Sequence, residues 1–310
     1  MSQSVQQRLS GIHAATIVPM RDDFAIDEVA LADHLAVVSR VPGIQGLLVN
    51  GHAGENFVLT AAEKRRVVEI ARSSVPSGCL ICSGINAESS LELAAEAQAA
   101  EAAGADVLLV FPPNSFALGH DPEAALIHHR HARDACNLPL LIYGAPIGAG
   151  QMPYDAATLR ALAAEPRIIG IKEGSWEIAA YEENLRLLKA VRPDFVILGS
   201  GDEHLMVSYM VGSAGSQVSL AAVVPELVVG LWQASQRGAW DEAMALHNRL
   251  YALAVAIYRD APGGRATARL KACLMIKGQL AQATLRPPQP PVSQAEWSRL
   301  EQALSQCAKT

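Results

Sequence analysis

The feature that most constrains the fold is a regular alternation of short apolar runs with segments of helical periodicity. Eight runs have the length and composition of buried strands, and a helix-like segment follows each of them. Alternation of this kind predicts a parallel sheet, and eight strand–helix units are the number that closes such a sheet into a barrel. The expected strands are 11–18, 44–50, 80–83, 105–110, 138–143, 168–172, 195–198 and 215–219.

The sequence therefore predicts an α/β protein, a (β/α)8 TIM barrel formed by residues 1–237 with a C-terminal helical extension of residues 238–310. A barrel of this type takes about 250 residues. An open, doubly wound sheet is the competing architecture. That fold carries a Gly-rich phosphate loop after an early strand, and neither 51–55 nor 200–204 has the required glycine spacing. We therefore favour the barrel.

Composition and charge exclude several classes of function. The net charge of −6 arises without a long basic run, so a nucleic-acid partner is not expected. No apolar stretch reaches membrane-spanning length, and the polar start MSQSVQQRLS does not have the pattern of a signal peptide. Five cysteines without framework spacing fit a reducing compartment. These features predict a cytoplasmic protein without a membrane partner.

A lysine, Lys172, ends the sixth expected strand. The carboxyl ends of the strands form the ligand-binding rim of a parallel barrel. Burial of an ammonium group is costly, and it lowers the pKa so that part of the lysine is a free amine able to attack a carbonyl. The alternative is a lysine that only reaches past the strand into water. The groups on the other strands decide between these interpretations.

Further chemically capable groups follow the other strands, and in a closed barrel they converge on the same rim. Together they form a Schiff-base site, in which an amine attacks a ketone, a phenol moves protons and loop N–H groups hold a carboxylate. This common position favours a catalytic role for Lys172. The groups are Gly51, His52, Ala53 and Gly54 after the second strand, Tyr143 on the fifth, Asp202 and Glu203 after the seventh, and Ser216 and Gln217 on the eighth.

Four segments resemble motifs of one enzyme family. The segments are G-H-A-G-E at 51–55, Y-G-A-P at 143–146, G-I-K-E at 170–173 and S-G-D-E at 200–203. They resemble the G-T/S-T-G-E, Y-N-x-P, G-I/L-K-E/D and S-G-D-D/E motifs of the dihydrodipicolinate synthase and N-acetylneuraminate lyase family of Schiff-base aldolases. The resemblance covers nearly the whole chain. It implies a barrel with a C-terminal helical extension, assembled as a homo-oligomer (tetramer or dimer), without metal or organic cofactor.

The chain departs from the dihydrodipicolinate synthases at the site that would receive the aldehyde. Those enzymes carry P-Y-Y after the fourth strand, where this chain has P-P-N at 112–114, and Gly148 replaces the arginine that binds the aldehyde's carboxylate. Ala53 replaces a loop hydroxyl, and His52 either donates to the substrate in its place or fills space. These differences argue against a true dihydrodipicolinate synthase.

The expected function is that of a Schiff-base lyase or aldolase acting on a pyruvate-type 2-keto acid. Gly215-Ser216 resembles the G-S of the neuraminate lyases, whose serine helps to hold a polyhydroxylated chain, so a polar or hydroxylated tail is expected. Gln217 would add an amide contact. A 2-keto-3-deoxy sugar acid dehydratase or a deaminating variant would use the same lysine imine. A catalytically silent, ligand-sensing barrel is the alternative outside the enzymes.

Several other residues receive simple structural interpretations. His128, His129 and His131 lie in the helix after the fourth strand without an accompanying carboxylate or cysteine, so a solvated helix face is expected there and not a metal site. Glu55 is interpreted as a hydrogen-bonding residue of its loop. Lys271 is expected to contact solvent.

Overall fold

The computed structural model describes residues 4–259 and 262–308. Residues 1–3 of the predicted barrel segment, and residues 260–261 and 309–310 of the predicted extension, lie outside the described residues. Eight parallel strands close into a barrel in sequence order, which confirms the predicted (β/α)8 TIM barrel. The strands are Gly11–Ala15 (β1), Ile44–Val49 (β2), Leu80–Ile85 (β3), Val107–Val110 (β4), Leu140–Gly144 (β5), Ile168–Glu173 (β6), Val196–Gly199 (β7) and Gly215–Val218 (β8).

Helices connect consecutive strands, and a helical C-terminal region follows β8, as predicted. None of the helices in the described part of the chain is long and apolar enough to cross a membrane. The helices are Val5–Arg8 (α1), Glu28–Ser39 (α2), Ala61–Ser74 (α3), Ser90–Ala102 (α4), Pro122–Ala135 (α5), Ala156–Ala164 (α6), Ile178–Val191 (α7), Leu205–Met210 (α8), Leu220–Val223 (α9), Pro225–Gln236 (α10), Trp240–Ala254 (α11), Ala266–Ile276 (α12) and Gln294–Cys307 (α13).

Helix starts follow local capping chemistry. The Asp27 carboxylate accepts a hydrogen bond from the Ala30 N–H at the start of α2. Thr60 and Glu63 form a reciprocal capping box at the start of α3. Each cap satisfies N–H groups that the first helical turn leaves without an intrahelical partner. These caps therefore fix the residues at which α2 and α3 begin.

Side chains alternate between the inside and the outside of the barrel along each strand. On β5, Leu141 and Tyr143 belong to the cluster inside the barrel, whereas Leu140 and Ile142 belong to the cluster between the barrel and its helices. The barrel closes where β8 runs beside β1. There a Cβ atom on Gly215 would lie 1.9 Å from the carbonyl oxygen of Gly11, so the close approach of the two strands requires glycine.

Candidate active site

A cavity of about 670 Å³ opens at the carboxyl ends of the strands. Side chains from the barrel form part of its wall, and the C-terminal region closes another side with Thr267, Leu270 and Gln289. A concave site of this size, with a few convergent polar groups, is typical of small-molecule binding. The polar residues of the wall include His52, Tyr143, Lys172, Asp202, Gln217 and Tyr258.

Lys172 lies on β6 beside Tyr143 of β5, with which it is in register. Its Nζ is 6.0 Å from the centroid of the Tyr143 ring. Desolvation by the surrounding protein lowers the pKa of Lys172 to about 8, although the negative charge of Asp202 and the Cys82 thiol oppose that change. About a tenth of the amine is therefore unprotonated at pH 7, far more than for an ordinary lysine, and free amine is the form that attacks a carbonyl.

Asp202 is buried in the turn after β7 and lines the same cavity as Lys172. Burial raises the pKa of Asp202 to about 7, whereas the Leu220 N–H and the charge of Lys172 lower it. The Leu220 N–H donates to Oδ1 of Asp202 at 3.0 Å. The two groups thus titrate close together, and each affects the charge of the other.

The Tyr143 phenol is almost fully buried, and burial together with the charge of Glu173 raises its pKa. Its hydroxyl oxygen lies 3.5 Å from Nδ1 of His52. The raised pKa keeps the phenol protonated at neutral pH. Tyr143 is therefore suited to donate a proton and to receive one in the same step.

The loop after β2 forms a 3₁₀ turn over residues His52–Gly54. The N–H groups of Gly54 and Glu55 close this turn by donating to the carbonyl oxygens of Gly51 and His52. Among the described residues, the N–H groups of His52 and Ala53 have no acceptor. Successive free N–H groups in a tight turn form a concave site for an anion such as a carboxylate.

Gln217 lies in β8 with its side chain fully buried, and it lines the cavity. Neither Nε2 nor Oε1 of Gln217 has a hydrogen-bond partner within the part of the chain that the structure describes. A buried amide without partners is costly, because it loses its hydrogen bonds to water on folding. This amide therefore has unused hydrogen-bonding capacity beside the cavity.

Two predicted tail contacts lie outside the cavity wall. The hydroxyl of Ser216 is 2.8 Å from the hydroxyl of Tyr209 on α8, because Ser216 precedes the inward-facing Gln217 and so faces the helices. Glu203 is not part of the cavity wall, and its carboxylate forms an ion pair with Arg259. We therefore leave Ser216 and Glu203 out of the candidate site.

Two contacts that the sequence analysis missed, from Lys271 and from Thr267, hold the loop after β2. Lys271 is fully buried and forms an ion pair with Glu55, so the expectation that Lys271 contacts solvent is wrong. Nζ of Lys271 also donates to the Thr284 carbonyl oxygen at 2.8 Å. The hydroxyl of Thr267 donates to the His52 carbonyl oxygen at 3.1 Å. The helix α12 thus fixes the loop that brings His52 and Ala53 to the cavity wall.

An aromatic pair forms another part of the rim. Trp176, in the loop after β6, and Tyr258, in the π-helical turn Val255–Arg259, both line the cavity with ring centroids 5.1 Å apart. The sequence analysis did not single out Tyr258. Its π-turn has no simple pattern of residue types.

The histidines of α5 are not a solvated face, as the sequence analysis expected. His128 and His129 are buried, and only His131 is exposed. Nε2 of His128 lies 3.2 Å from the Phe111 carbonyl oxygen, and Nδ1 of His129 lies 2.9 Å from that of Ala125. Across residues 4–259 and 262–308, no group of three or more His, Cys, Asp or Glu side chains could hold a metal ion.

The comparison with known proteins agrees with this geometry. The chain matches the dihydrodipicolinate synthetase family over residues 8–307. A 4-hydroxy-tetrahydrodipicolinate synthase of Anaplasma marginale (strain Florida) is 30% identical over 255 residues, which is 81% of each chain. An uncharacterized DapA-like lyase of Halobacterium salinarum is 30% identical over 270 residues, 87% of this chain and 85% of the relative.

Solved structures extend the similarity to the whole fold. Dihydrodipicolinate synthase from Agrobacterium tumefaciens has a TM-score of 0.88 and is 26% identical, and the match covers 98% of this chain and 100% of that chain. YagE, a prophage protein of E. coli K12 solved in complex with pyruvate, has a TM-score of 0.86 and is 23% identical. The match covers 96% of this chain and 98% of YagE, and the two proteins share the fold. This chain belongs to the dihydrodipicolinate synthetase family.

Proposed function

We propose that the protein is a Schiff-base-forming lyase or aldolase that acts on a pyruvate-type 2-keto acid with a polar or hydroxylated tail. The observation that carries the proposal is the position of Lys172 in the cavity together with its lowered pKa. Its neighbours on the rim have the matching chemistry, with a phenol at Tyr143 and free N–H groups at His52 and Ala53.

The reaction begins when the free amine of Lys172 attacks the C2 ketone and forms a carbinolamine, which loses water to give a protonated imine. The N–H groups of His52 and Ala53 hold the C1 carboxylate. Cleavage of the C3–C4 bond leaves its electron pair on C3, and the imine accepts that pair as an enamine. The C4 hydroxyl gives its proton to the Tyr143 oxygen as the aldehyde forms, while the phenol passes its own proton to water in the cavity. Pyruvate is released after C3 is protonated and the imine is hydrolysed.

The charges of the cavity wall support an uncharged polar tail. Lys172 is the only lysine or arginine among the described residues that line the cavity. Two acids of the described chain, Glu55 and Asp202, line the cavity, and Glu55 is paired with Lys271. A distal carboxylate would therefore have no cationic partner besides the amine that forms the imine, whereas a hydroxyl can bond to Gln217 or Asp202.

Two alternatives use the same residues. A 2-keto-3-deoxy sugar acid dehydratase or a deaminating variant would form the imine on Lys172, lose a C3 proton and then expel the C4 substituent. Asp202, with a pKa raised to about 7, could exchange that proton. A catalytically silent, ligand-sensing barrel would bind the acid without turnover. We further propose a homo-oligomer, a tetramer or dimer, by analogy with the family.

Product analysis separates these alternatives. The protein is incubated with a panel of 2-keto acids that carry hydroxyl groups at C4 and beyond, and the products are identified by mass. Cleavage gives pyruvate and an aldehyde, whereas dehydration gives one product that is smaller by one water. We expect pyruvate. Loss of water or ammonia without pyruvate would favour the dehydratase or deaminating variant, and binding without any product would favour the sensor.

A further inference from the structure

An ion pair ties the C-terminal extension to the loop after β7, directly beside two residues of the cavity wall. Nε of Arg259 donates to Oε2 of Glu203 at 3.0 Å, and Nη2 of Arg259 donates to the Tyr251 hydroxyl at 2.9 Å. Tyr258 and Asp202, which precede Arg259 and Glu203 in the chain, both line the cavity. The ion pair therefore joins the segment that carries Tyr258 to the segment that carries Asp202.

The ring of Tyr258 has a defined position. Its centroid lies 5.1 Å from that of Trp176. Tyr258 belongs to the π-helical turn Val255–Arg259, which directly follows α11. Turns of this kind are rare and occur frequently at functional sites. The turn, the ring contact and the ion pair together hold one phenol of the extension at the cavity wall.

The hydroxyl of Tyr258 is buried and makes no hydrogen bond of good geometry within the described part of the chain. Asp202 and Ser219 are among its polar neighbours, and burial together with the negative charge of Asp202 raises the pKa of Tyr258, so the phenol keeps its proton. The Asp202 carboxylate accepts from the Leu220 N–H at 3.0 Å and has the capacity for further donors. A buried hydroxyl without a partner is costly, and this carboxylate is a suitable acceptor for it.

We propose that Tyr258 is a positioning residue for Asp202, to whose carboxylate its phenol donates, and that the Glu203–Arg259 ion pair holds the two segments in register. The inference rests on the proposed function, in which Asp202 bonds to a hydroxyl of the tail and lies close to Lys172. A donor on a carboxylate favours its ionised form. Ionised Asp202 is the form that accepts a hydrogen bond from a tail hydroxyl and stabilises the ammonium form of Lys172.

The consequence can be measured at Lys172. Burial raises the pKa of Asp202 to about 7, so the carboxylate is only partly ionised near neutral pH and one donor changes the ionised fraction. Loss of the phenol raises the pKa of Asp202 further and reduces the negative charge beside Lys172. Since that charge raises the pKa of Lys172, its reduction lowers the pKa of Lys172 and moves imine formation to lower pH.

The other titratable groups near these three residues stay neutral near pH 7. Burial raises the pKa of the nearby phenol and thiols, and it lowers the pKa of the nearby imidazole. Besides the charged pair of Glu203 and Arg259, these groups are Tyr209 on α8, Cys82 on β3, Cys273 on α12 and His52.

The test measures the pH midpoint of imine formation with pyruvate in variants of the full chain. Tyr258→Phe removes the hydroxyl but keeps a ring against Trp176. Arg259→Gln breaks the ion pair at a side chain that is 54% exposed, whereas Arg259→Lys keeps a positive charge there. Tyr154→Phe is the matched control, because the Tyr154 hydroxyl is also buried without a partner among the described residues but lies outside the cavity wall. Thermal unfolding establishes that each variant is folded.

We expect Tyr258→Phe to move the midpoint to lower pH by about half a unit, less than Asp202→Asn does. Arg259→Gln should move the midpoint in the same direction, and Arg259→Lys should restore most of the original value. Tyr154→Phe should leave it unchanged. In an Asp202→Asn background, Tyr258→Phe should produce almost no further shift, because residues that act through one another have non-additive effects.

Two results would overturn the inference. One is a midpoint in Tyr258→Phe that coincides with that of the unchanged protein or lies above it, and Arg259→Gln decides in the same way if Tyr258→Phe does not fold. The other is a full shift by Tyr258→Phe in the Asp202→Asn background, which would mean that the phenol acts on Lys172 without Asp202. Failure of the unchanged protein to form a borohydride-trapped adduct with pyruvate would instead overturn the proposed function, and with it this inference.

Discussion

Lys271 of the C-terminal extension forms a fully buried ion pair with Glu55 of the loop after β2, although 216 residues separate them in the sequence. Oε1 of Glu55 also accepts a hydrogen bond from the Arg286 N–H at 3.4 Å. Glu55 has a left-handed backbone conformation, with φ of 56°, two residues after Ala53, which lines the cavity and has a free N–H group. The extension therefore holds a strained part of the candidate site.

Removal of this lysine should destabilise the protein and loosen the loop. Lys271→Met leaves a buried carboxylate without its partner, which costs about 3–5 kcal/mol in the free energy of unfolding. The double variant with Glu55→Gln should recover part of that loss. We expect urea denaturation to give this order of stabilities, with an increase in KM for the keto acid in any single variant that folds.

The matched control for that experiment is Arg186→Met. Arg186 pairs with Glu182 on the surface of α7, with its side chain 74% exposed. Exposed pairs contribute little to stability, so the unfolding transition should hardly move. Equal destabilisation by the two substitutions would contradict the account of Lys271.

Gln217 and Ser216 are neighbours on β8, and substitutions at the two positions should have opposite effects on stability and turnover. Gln217→Leu removes a buried amide that has no partner among the described residues, so the free energy of unfolding should rise by about 1 kcal/mol. The same change should lower kcat/KM for a hydroxylated keto acid by about ten-fold or more, because a contact to the tail is lost. Chemical denaturation and steady-state kinetics on the same preparation measure both effects.

Ser216→Ala should lower the stability without impairing turnover. It breaks the hydrogen bond to Tyr209 and so lowers the stability, while the kinetics remain unchanged because Ser216 faces the helices. If Ser216→Ala impaired turnover and Gln217→Leu did not, the orientation of β8 assigned here would be wrong.

The fold could be predicted because its determinants are local. The apolar strands, the capping residues Asp27 and Thr60 and the strand-end position of Lys172 all depend on short stretches of sequence. The inward orientation of Gln217 was also accessible, since two adjacent strand residues cannot both face the cavity. The sequence analysis did not apply that rule, and so it placed Ser216 on the cavity wall as well.

The other differences between the predicted and the observed site arise from contacts between residues that are distant in the sequence. The partner of Glu203 is Arg259 in the π-helical turn, and the partner of Glu55 is Lys271 on α12. Neither pairing follows from the spacing of residues, because it depends on how the C-terminal helices pack on the barrel. Burial of Lys271 requires a partner of opposite charge, and sequence patterns do not reveal which carboxylate is near.

The rate of imine formation should depend on pH through Lys172. Only the free amine reacts, so the rate rises with pH and levels off above the folded-state pKa of about 8, well below the ordinary lysine value of 10.5. The charge of Asp202 raises that pKa, so Asp202→Asn should move the rise to lower pH. Samples withdrawn at each pH and trapped under one fixed borohydride condition give the initial rates. A midpoint near 10.5 would contradict the lowered pKa.

Aspartate semialdehyde should be a poor partner for the pyruvate imine. Gly148 stands where the synthases carry arginine, and Lys172 is the only lysine or arginine among the described residues of the cavity wall. A charge-assisted contact to the distal carboxylate contributes about 1.5–3 kcal/mol, or roughly ten- to hundred-fold in kcat/KM. Coupled assays with this aldehyde and with an uncharged hydroxyaldehyde of similar size should show a preference for the uncharged one. Equal or better use of aspartate semialdehyde would contradict this prediction.

The central claim is that Lys172 forms an imine with a 2-keto acid, and intact-protein mass spectrometry after borohydride reduction tests it directly. With pyruvate, the account predicts one covalent adduct, located on Lys172 by peptide mapping, and neither adduct nor turnover in Lys172→Ala. Lys189→Ala on α7 is the control and should retain both. An adduct that persists in Lys172→Ala, or turnover of a 2-keto acid without any adduct in the unchanged protein, would contradict the account.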